Sequence, residues 1–418
     1  MPQTASAHYD VIVIGGGSLG QATAWQLGQR KARTLVLEQF TFLNQLGSSA
    51  GVSRQFRIPY PQEYMVKLVK QSVPFWDELQ ALTPVPLLDK VGTLWFGDPT
   101  VHSTEGNIGQ AEKALKAQKV PFTRLDAAEI ERRYHFRKLP ENYTGLFQPD
   151  GASLNLRATL ETLLNWNRLC PFVTLREEAP VLRIAEHHGT FAVTTVQGTF
   201  TAQKLVLTPG PFANSVFNLL GFQINATYWN MASAYYKLKK PGINYPTWFV
   251  FQNPVGDNNN QFYGFPEVSW NYPGYVRVAS DFVMSPLSAP GQRTLVPNPQ
   301  ELGFTAQWVA KHMTGLEPVP SFTSTCLVAL SNLTHKELLL GFAPDFVPLH
   351  RQITLSATGW VGKFVPLVGR ILADLTLDGR TGFDISHFTP RAGHFSALAG
   401  SPGPGSAGGR SSGRPPQA

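Results

Sequence analysis

The chain has 418 residues, 43% hydrophobic and 15% charged, and its 35 Lys+Arg against 28 Asp+Glu leave a formal charge of +7. Such a length fits two to three domain-sized units, or one large α/β unit with an insertion, and it buries a full core without staples. No apolar run approaches the roughly 20 residues that span a bilayer as a helix, and no Lys/Arg run marks a nucleic-acid surface.

In chain order, the opening MPQTASA lacks the basic region and cleavage site of a secretory leader. Val11 to Ile14 reads as a buried strand. Gly15-Gly16-Gly17-Ser18-Leu19-Gly20 follows, then a helix over 21–29 and a second buried strand, 34–37, ending at Glu38. Residues 62–82 repeat apolar positions at helical spacing: Met65, Leu68, Val69, Val73, Trp76 and Leu79. Cys170 reads as core. Residues 204–208 form another buried strand, closed by Pro209-Gly210-Pro211.

Between 226 and 282 the texture changes, with 15 of 57 positions Phe, Trp or Tyr. Prolines, glycines and alternation there predict antiparallel strands rather than βαβ units. The first pattern resumes after about residue 320, with a strand at 353–356, Gly359, Gly362 and a helix over 367–377. From Ala392 the chain is rich in Gly, Ser and Pro and predicts disorder. Arg391, Arg410 and Arg414 put three of the net positive charges in this acid-free tail. No internal repeat is found.

Gly15-x-Gly17-x-x-Gly20 sits between a strand and a helix. Gly15 permits the tight turn, Gly17 lets backbone approach a pyrophosphate, and Gly20 allows close helix–strand packing. The helix N-terminus, including Ser18 and Leu19, then faces the anion. Glu38, 18 residues after Gly20, is placed to accept ribose hydroxyls. An acid there favours FAD or NAD over NADP.

The segment Gly47-Ser48-Ser49-Ala50-Gly51-Val52-Ser53-Arg54-Gln55-Phe56-Arg57-Ile58-Pro59-Tyr60 adds specificity, as do Leu207 to Phe212, Ser324-Thr325-Cys326 and Gly359 to Lys363. Together with the glycine motif, these blocks resemble the sarcosine oxidase branch of the D-amino-acid-oxidase-like flavoenzymes, which includes N-methyltryptophan and pipecolate oxidases. The resemblance covers residues 8 to 390. It implies a mixed α/β fold, in which a Rossmann-type FAD domain (1–87, 146–225, 320–390) carries an inserted mixed or antiparallel-sheet substrate domain (88–145, 226–319), with a disordered tail (391–418). Ser48, Ser49 and Arg54 would contact FAD, with Gly359 and Gly362 beside it. Cys326 matches the cysteine attached covalently to the flavin. Arg57 and Lys363 would clamp a substrate carboxylate, a fit the chemistry supports because a guanidinium fork plus an ammonium fixes one orientation.

On the residues alone, Arg57 also reads as a surface ion-pair arginine, Lys363 as a solvated loop lysine, and Cys326 as a small buried hydrophobe.

Two positions depart from the family. Trp360 replaces an active-site histidine, as in an imino-acid oxidase of nikkomycin biosynthesis, and would stack on or shield the flavin. Arg277 stands where the family has its oxygen-activating lysine. Most of Tyr228, Trp229, Tyr235, Tyr236, Trp248, Phe249, Tyr263, Trp270 and Tyr275 read as sheet packing, with two or three lining a substrate pocket and Tyr263 the best candidate. Glu105 and Asp281 are candidate polar contacts. His335 and His350 lack metal-ligand spacing, and no metal is expected.

The resulting expectation is a monomeric, cytoplasmic FAD enzyme without nucleic-acid or membrane partners. It would oxidise a C–N bond of a secondary amino acid or cyclic imino acid, with O2 as acceptor and H2O2 as product. Two alternatives are a dehydrogenase passing electrons to a quinone or partner protein, which Arg277 favours, and a non-catalytic flavin-binding protein. An NAD-linked dehydrogenase would leave the cysteine and Ser-Arg-x-x-Arg blocks without a role.

Overall fold

The computed structural model describes residues 8–103, 105–270, 272–332 and 338–398. Its first large sheet is built around His8–Ile14, flanked in parallel by Thr34–Leu37 and Gly198–Leu207. Val173–Arg176 extends it beyond Thr34–Leu37, and Ile353–Ala357 lies parallel to the end of Gly198–Leu207. Val11, Ile12 and Val13 are fully buried. A central parallel strand is covered on both faces, which is why this run is continuously apolar instead of alternating.

Helices Ser18–Gln29, Leu156–Leu169 and Val365–Asp378 pack together beside this sheet. Gly369 allows the contact between the first and last of them, since a Cβ there would lie 2.6 Å from the Ala22 carbonyl carbon. The first and last run longer than their sequence signals by a few residues, because the capping turns carry no apolar period. Helix Glu63–Gln80 buries the expected face except Val73, which is 37% exposed.

The second large sheet has the order Phe322–Ser331, Ala226–Lys237, Tyr275–Ser280, Phe262–Phe265, Thr247–Phe251, Thr93–Gly97, Thr144–Gln148, Thr123–Asp126. The aromatic-rich region supplies four of its strands. They pair antiparallel as expected, but Thr247–Phe251 also runs parallel to Thr93–Gly97. Trp248 and Trp308 stack at 4.8 Å in the core behind it. A third, three-stranded sheet pairs Ser53–Phe56 and Leu88–Asp89 with Ala152–Asn155.

Two expectations are corrected. Phe322–Ser331, assigned from sequence to the dinucleotide half, hydrogen-bonds along its length to Ala226–Lys237 in the second sheet. The start of the tail is ordered: Phe395–Ala397 pairs with Phe222–Ile224, and Phe395 is buried against Phe217 and Phe222. Composition predicted disorder because the Gly, Ser and Pro residues that follow outweigh one well-placed phenylalanine. Residues 399–418 lie outside the described residues, as does His335. No described helix is long and apolar enough to cross a membrane, and no described group of His, Cys, Asp and Glu could hold a metal.

Candidate active site

Two connected clefts lie between the large sheets. The first, of about 1250 Å³, runs from the glycine turn past Glu38 to Thr208–Phe212 and Thr358–Gly359. Gly15 has φ +107°, and a Cβ there would stand 2.3 Å from the Thr208 carbonyl oxygen. At Gly20 a Cβ would meet the Gly15 carbonyl oxygen at 1.8 Å. A Cβ on Gly17 would meet only Ser49 Oγ, at 3.3 Å, so this glycine faces the open cleft. Helix Ser18–Gln29 begins there with no side-chain cap and no acid in its first turn. The Ser18 N–H is taken by Ser49 Oγ, and the N–H groups after it in the first turn have no partner within the helix and can serve an anion.

Glu38 forms the cleft wall. Its carboxylate accepts from the Gly16 N–H at 2.8 Å and the Phe40 N–H at 2.9 Å. Burial raises its pKa, and these hydrogen bonds partly oppose that. The uncapped helix start, the open face at Gly17 and the acid at the end of the second strand fit a dinucleotide.

The second cleft, of about 970 Å³, shares Ser18, Ser48, Gly359 and Val361 with the first. Arg57, Lys363, Glu105, Asp281, Arg277, Tyr263, Trp360 and Cys326 all line it. The sequence candidates from five separated segments are thus brought to one cavity. Arg57 and Lys363 are only 6% and 5% exposed, so neither is a solvated surface cation. Arg57 is ion-paired to buried Glu105, and its guanidinium lies 4.8 Å from the Tyr60 ring and 5.1 Å from Trp95. Burial disfavours its charge, but Glu105 and Tyr60 outweigh this and hold its pKa above the ordinary value. Lys363 Nζ donates to the Trp360 carbonyl at 3.1 Å. Its pKa is lowered, chiefly by burial, with repulsion from Arg57 acting in the same direction.

The backbone that presents Lys363 turns sharply. Thr358 and Gly359 take left-handed conformations, φ +61° and +77°, and Gly359 N–H donates to Ala329 at 3.0 Å. Trp76 Nε1 secures the far side by donating to the Lys363 carbonyl at 2.7 Å.

Arg54 ties the preceding loop to the cysteine strand. It donates to the carbonyls of Ser48, Ala50 and Ser53 and lies 3.1 Å from Cys326 Sγ. Ser48 Oγ donates to the Leu327 carbonyl at 2.6 Å, while Ser49 Oγ accepts from Ser18 N–H at 3.1 Å. Arg277 spends its donors on Ser233 Oγ and on the carbonyl and hydroxyl of Ser53, and lies 4.7 Å from the Phe265 ring. Trp360 packs with Met231, Cys326 and Val328, as does Tyr263. Burial pushes the Tyr263 phenol above its ordinary pKa. Gly362 packs against the Arg54 stem, with a virtual Cβ at 3.3 Å. Of the nine aromatics weighed from sequence, Phe249 and Tyr263 line the cavity. Sequence reasoning missed Tyr60 and Phe265, although each stands within three residues of a recognised motif position.

Residues 10–375 match the family described as FAD dependent oxidoreductase. The chain belongs to this family. Its fold resembles the open form of NikD, an unusual amino acid oxidase essential for nikkomycin biosynthesis, with TM-score 0.87 and 36% identity, covering 92% of this chain and 98% of that one. It is 30% identical over 92% of its length to a candidate bifunctional amine oxidase of Dictyostelium discoideum, of which it spans 37%. The monomeric sarcosine oxidase of Streptomyces avermitilis is 29% identical, with 92% of this chain and 98% of that protein covered. The expected mixed α/β fold and the FAD-dependent oxidoreductase assignment both stand, and the residues of the first cleft fit FAD.

Proposed function

We propose that the enzyme oxidises the C–N bond of a small secondary amino acid or cyclic imino acid. The observation that carries this reading is the buried pair Arg57 and Lys363, on the wall of a cavity continuous with the dinucleotide cleft. A carboxylate seated on two desolvated cations leaves its α-carbon and amine to face the adjoining cleft. Resemblance to an amino acid oxidase and a sarcosine oxidase supports the substrate class.

The Gly15–Gly20 turn, Glu38, Ser48, Ser49, Arg54, Gly359 and Gly362 would hold FAD, which would supply a hydride acceptor with O2 as final oxidant and H2O2 as product. Cys326 is our candidate for its covalent attachment. Arg57 and Lys363 orient the substrate by its carboxylate. Phe249, Tyr263, Phe265 and Trp360 give the cavity apolar and π surfaces suited to a planar or cyclic amine. Trp360 also limits water at the reacting face. Glu105 and Asp281 provide acceptors for a cationic amine.

The dehydrogenase reading draws its support from Arg277, whose donors are committed to Ser53 and Ser233. The test is an anaerobic absorbance titration with sarcosine, L-proline, L-pipecolate and N-methyltryptophan, followed by air. Bleaching by one of these and rapid recolouring with peroxide is the expected result. Bleaching without recolouring would replace the oxidase with a dehydrogenase. No bleaching by any secondary or cyclic amino acid would overturn the substrate class.

A further inference from the structure

Arg57 and Lys363 raise a physical problem that the carboxylate clamp does not itself solve. Two cations sit in a nearly water-free wall, where like charges repel strongly and each loses its hydration. Glu105 pairs with Arg57, whereas Lys363 donates to the Trp360 backbone carbonyl. Between the two lies Tyr60, 6% exposed and behind the cavity surface. The Arg57 guanidinium stands 4.8 Å from its ring centroid and Lys363 Nζ stands 5.4 Å from it. Its hydroxyl has no partner at full hydrogen-bond geometry, although the phenol oxygen also attracts both cations. Both cations lie over the ring face, whose quadrupole attracts positive charge most strongly where water is excluded.

We propose that Tyr60 is a positioning residue whose ring holds Arg57 and Lys363 side by side in the geometry that receives the substrate carboxylate. This rests on the carboxylate-clamp reading above. Local sequence makes the arrangement possible. Ile58-Pro59 follows Arg57 directly, and Pro59 restricts the backbone so that Tyr60 returns beneath the arginine three residues earlier. Trp95 covers Arg57 as well, at 5.1 Å, but of these two rings Tyr60 is the one recorded over both cations.

The experiment uses the holoenzyme and cyclopentanecarboxylate, a ring carboxylate with no amine to oxidise. Its dissociation constant is measured by calorimetry in Tyr60→Leu, Tyr60→Met, Tyr60→Phe and Arg57→Ala proteins. Losing a desolvated cation–π contact of this kind predicts about tenfold weaker binding in Tyr60→Leu and Tyr60→Met. Tyr60→Phe keeps the ring and is expected to bind within about twofold of the parent. For the oxidised substrate, Tyr60→Leu should raise KM much more than it lowers kcat.

Parental affinity in either aliphatic variant would overturn the proposal, and Tyr60→Met decides it should Tyr60→Leu not fold. Equal weakening in Tyr60→Phe would also overturn it, because the hydroxyl or bulk packing would then be responsible. If Arg57→Ala binds the carboxylate as well as the parent does, the clamp reading itself fails. Weak binding in Arg57→Ala alongside parental binding in Tyr60→Leu would keep the clamp and dismiss Tyr60.

Discussion

Lys363 and Cys326 are single side chains whose surroundings set their chemistry. Burial holds the Lys363 ammonium below its usual pKa, so its charge is lost at lower pH than that of an ordinary lysine. A carboxylate ligand binds the charged form. Affinity should thus fall as pH rises, and should do so at a lower pH than an ordinary lysine would give. Lys363→Met should raise KM by about ten- to a hundredfold, the equivalent of roughly 1.5–3 kcal/mol for a charged hydrogen bond, and should remove the alkaline fall. A steep fall persisting in the variant would locate the titration elsewhere. For Cys326, acid-precipitated parent protein should remain yellow, whereas Cys326→Ala should release its colour to the supernatant. Free flavin from the parent would exclude covalent attachment. That both side chains reach one cavity was legible from short motifs. Tyr60 was not, since a motif names positions that touch ligand and says nothing of a ring behind them.

Elements were legible where local composition settles them. The run Val11–Ile14 and its glycine turn carried their own evidence: apolar residues on both faces, then φ values only glycine adopts readily. The strand Phe322–Ser331 carried none, because which sheet it joins depends on a partner some 95 residues earlier in the chain. Parallel pairing of Thr247–Phe251 with Thr93–Gly97 was hidden for the same reason. Close helix contact has a sharper local signature. Gly369 lies over the Ala22 backbone, and its Cβ position is occupied by main-chain atoms. Gly369→Ala should therefore cost about 1–3 kcal/mol by forcing two helices apart, read as a lower denaturation midpoint. Unchanged stability would mean that the helices separate freely there.

For the molecule as a whole, the last described strand is a closing contact and not an appendage. Phe395 packs edge to face on Phe217 and Phe222, which stack on each other. Phe395→Ala should lower stability by about 3–5 kcal/mol, the usual cost of emptying a buried phenylalanine site. A shift under about 1 kcal/mol would show the strand to be dispensable. Composition missed this contact because one buried ring within a Gly/Ser/Pro-rich stretch barely alters the average.

The order of strands in the first sheet has a consequence for biosynthesis. His8–Ile14 is made first but pairs with Gly198–Leu207, which in turn pairs with Ile353–Ala357. A ribosome adding about 5–20 residues per second must therefore run for tens of seconds before the wall of the dinucleotide cleft is complete. His8–Ile14 has Thr34–Leu37 on one side early, but its other edge stays unpaired until residues 198–207 are made, and such open edges invite aggregation. Loading of the cofactor is accordingly an event of the end of translation or after it.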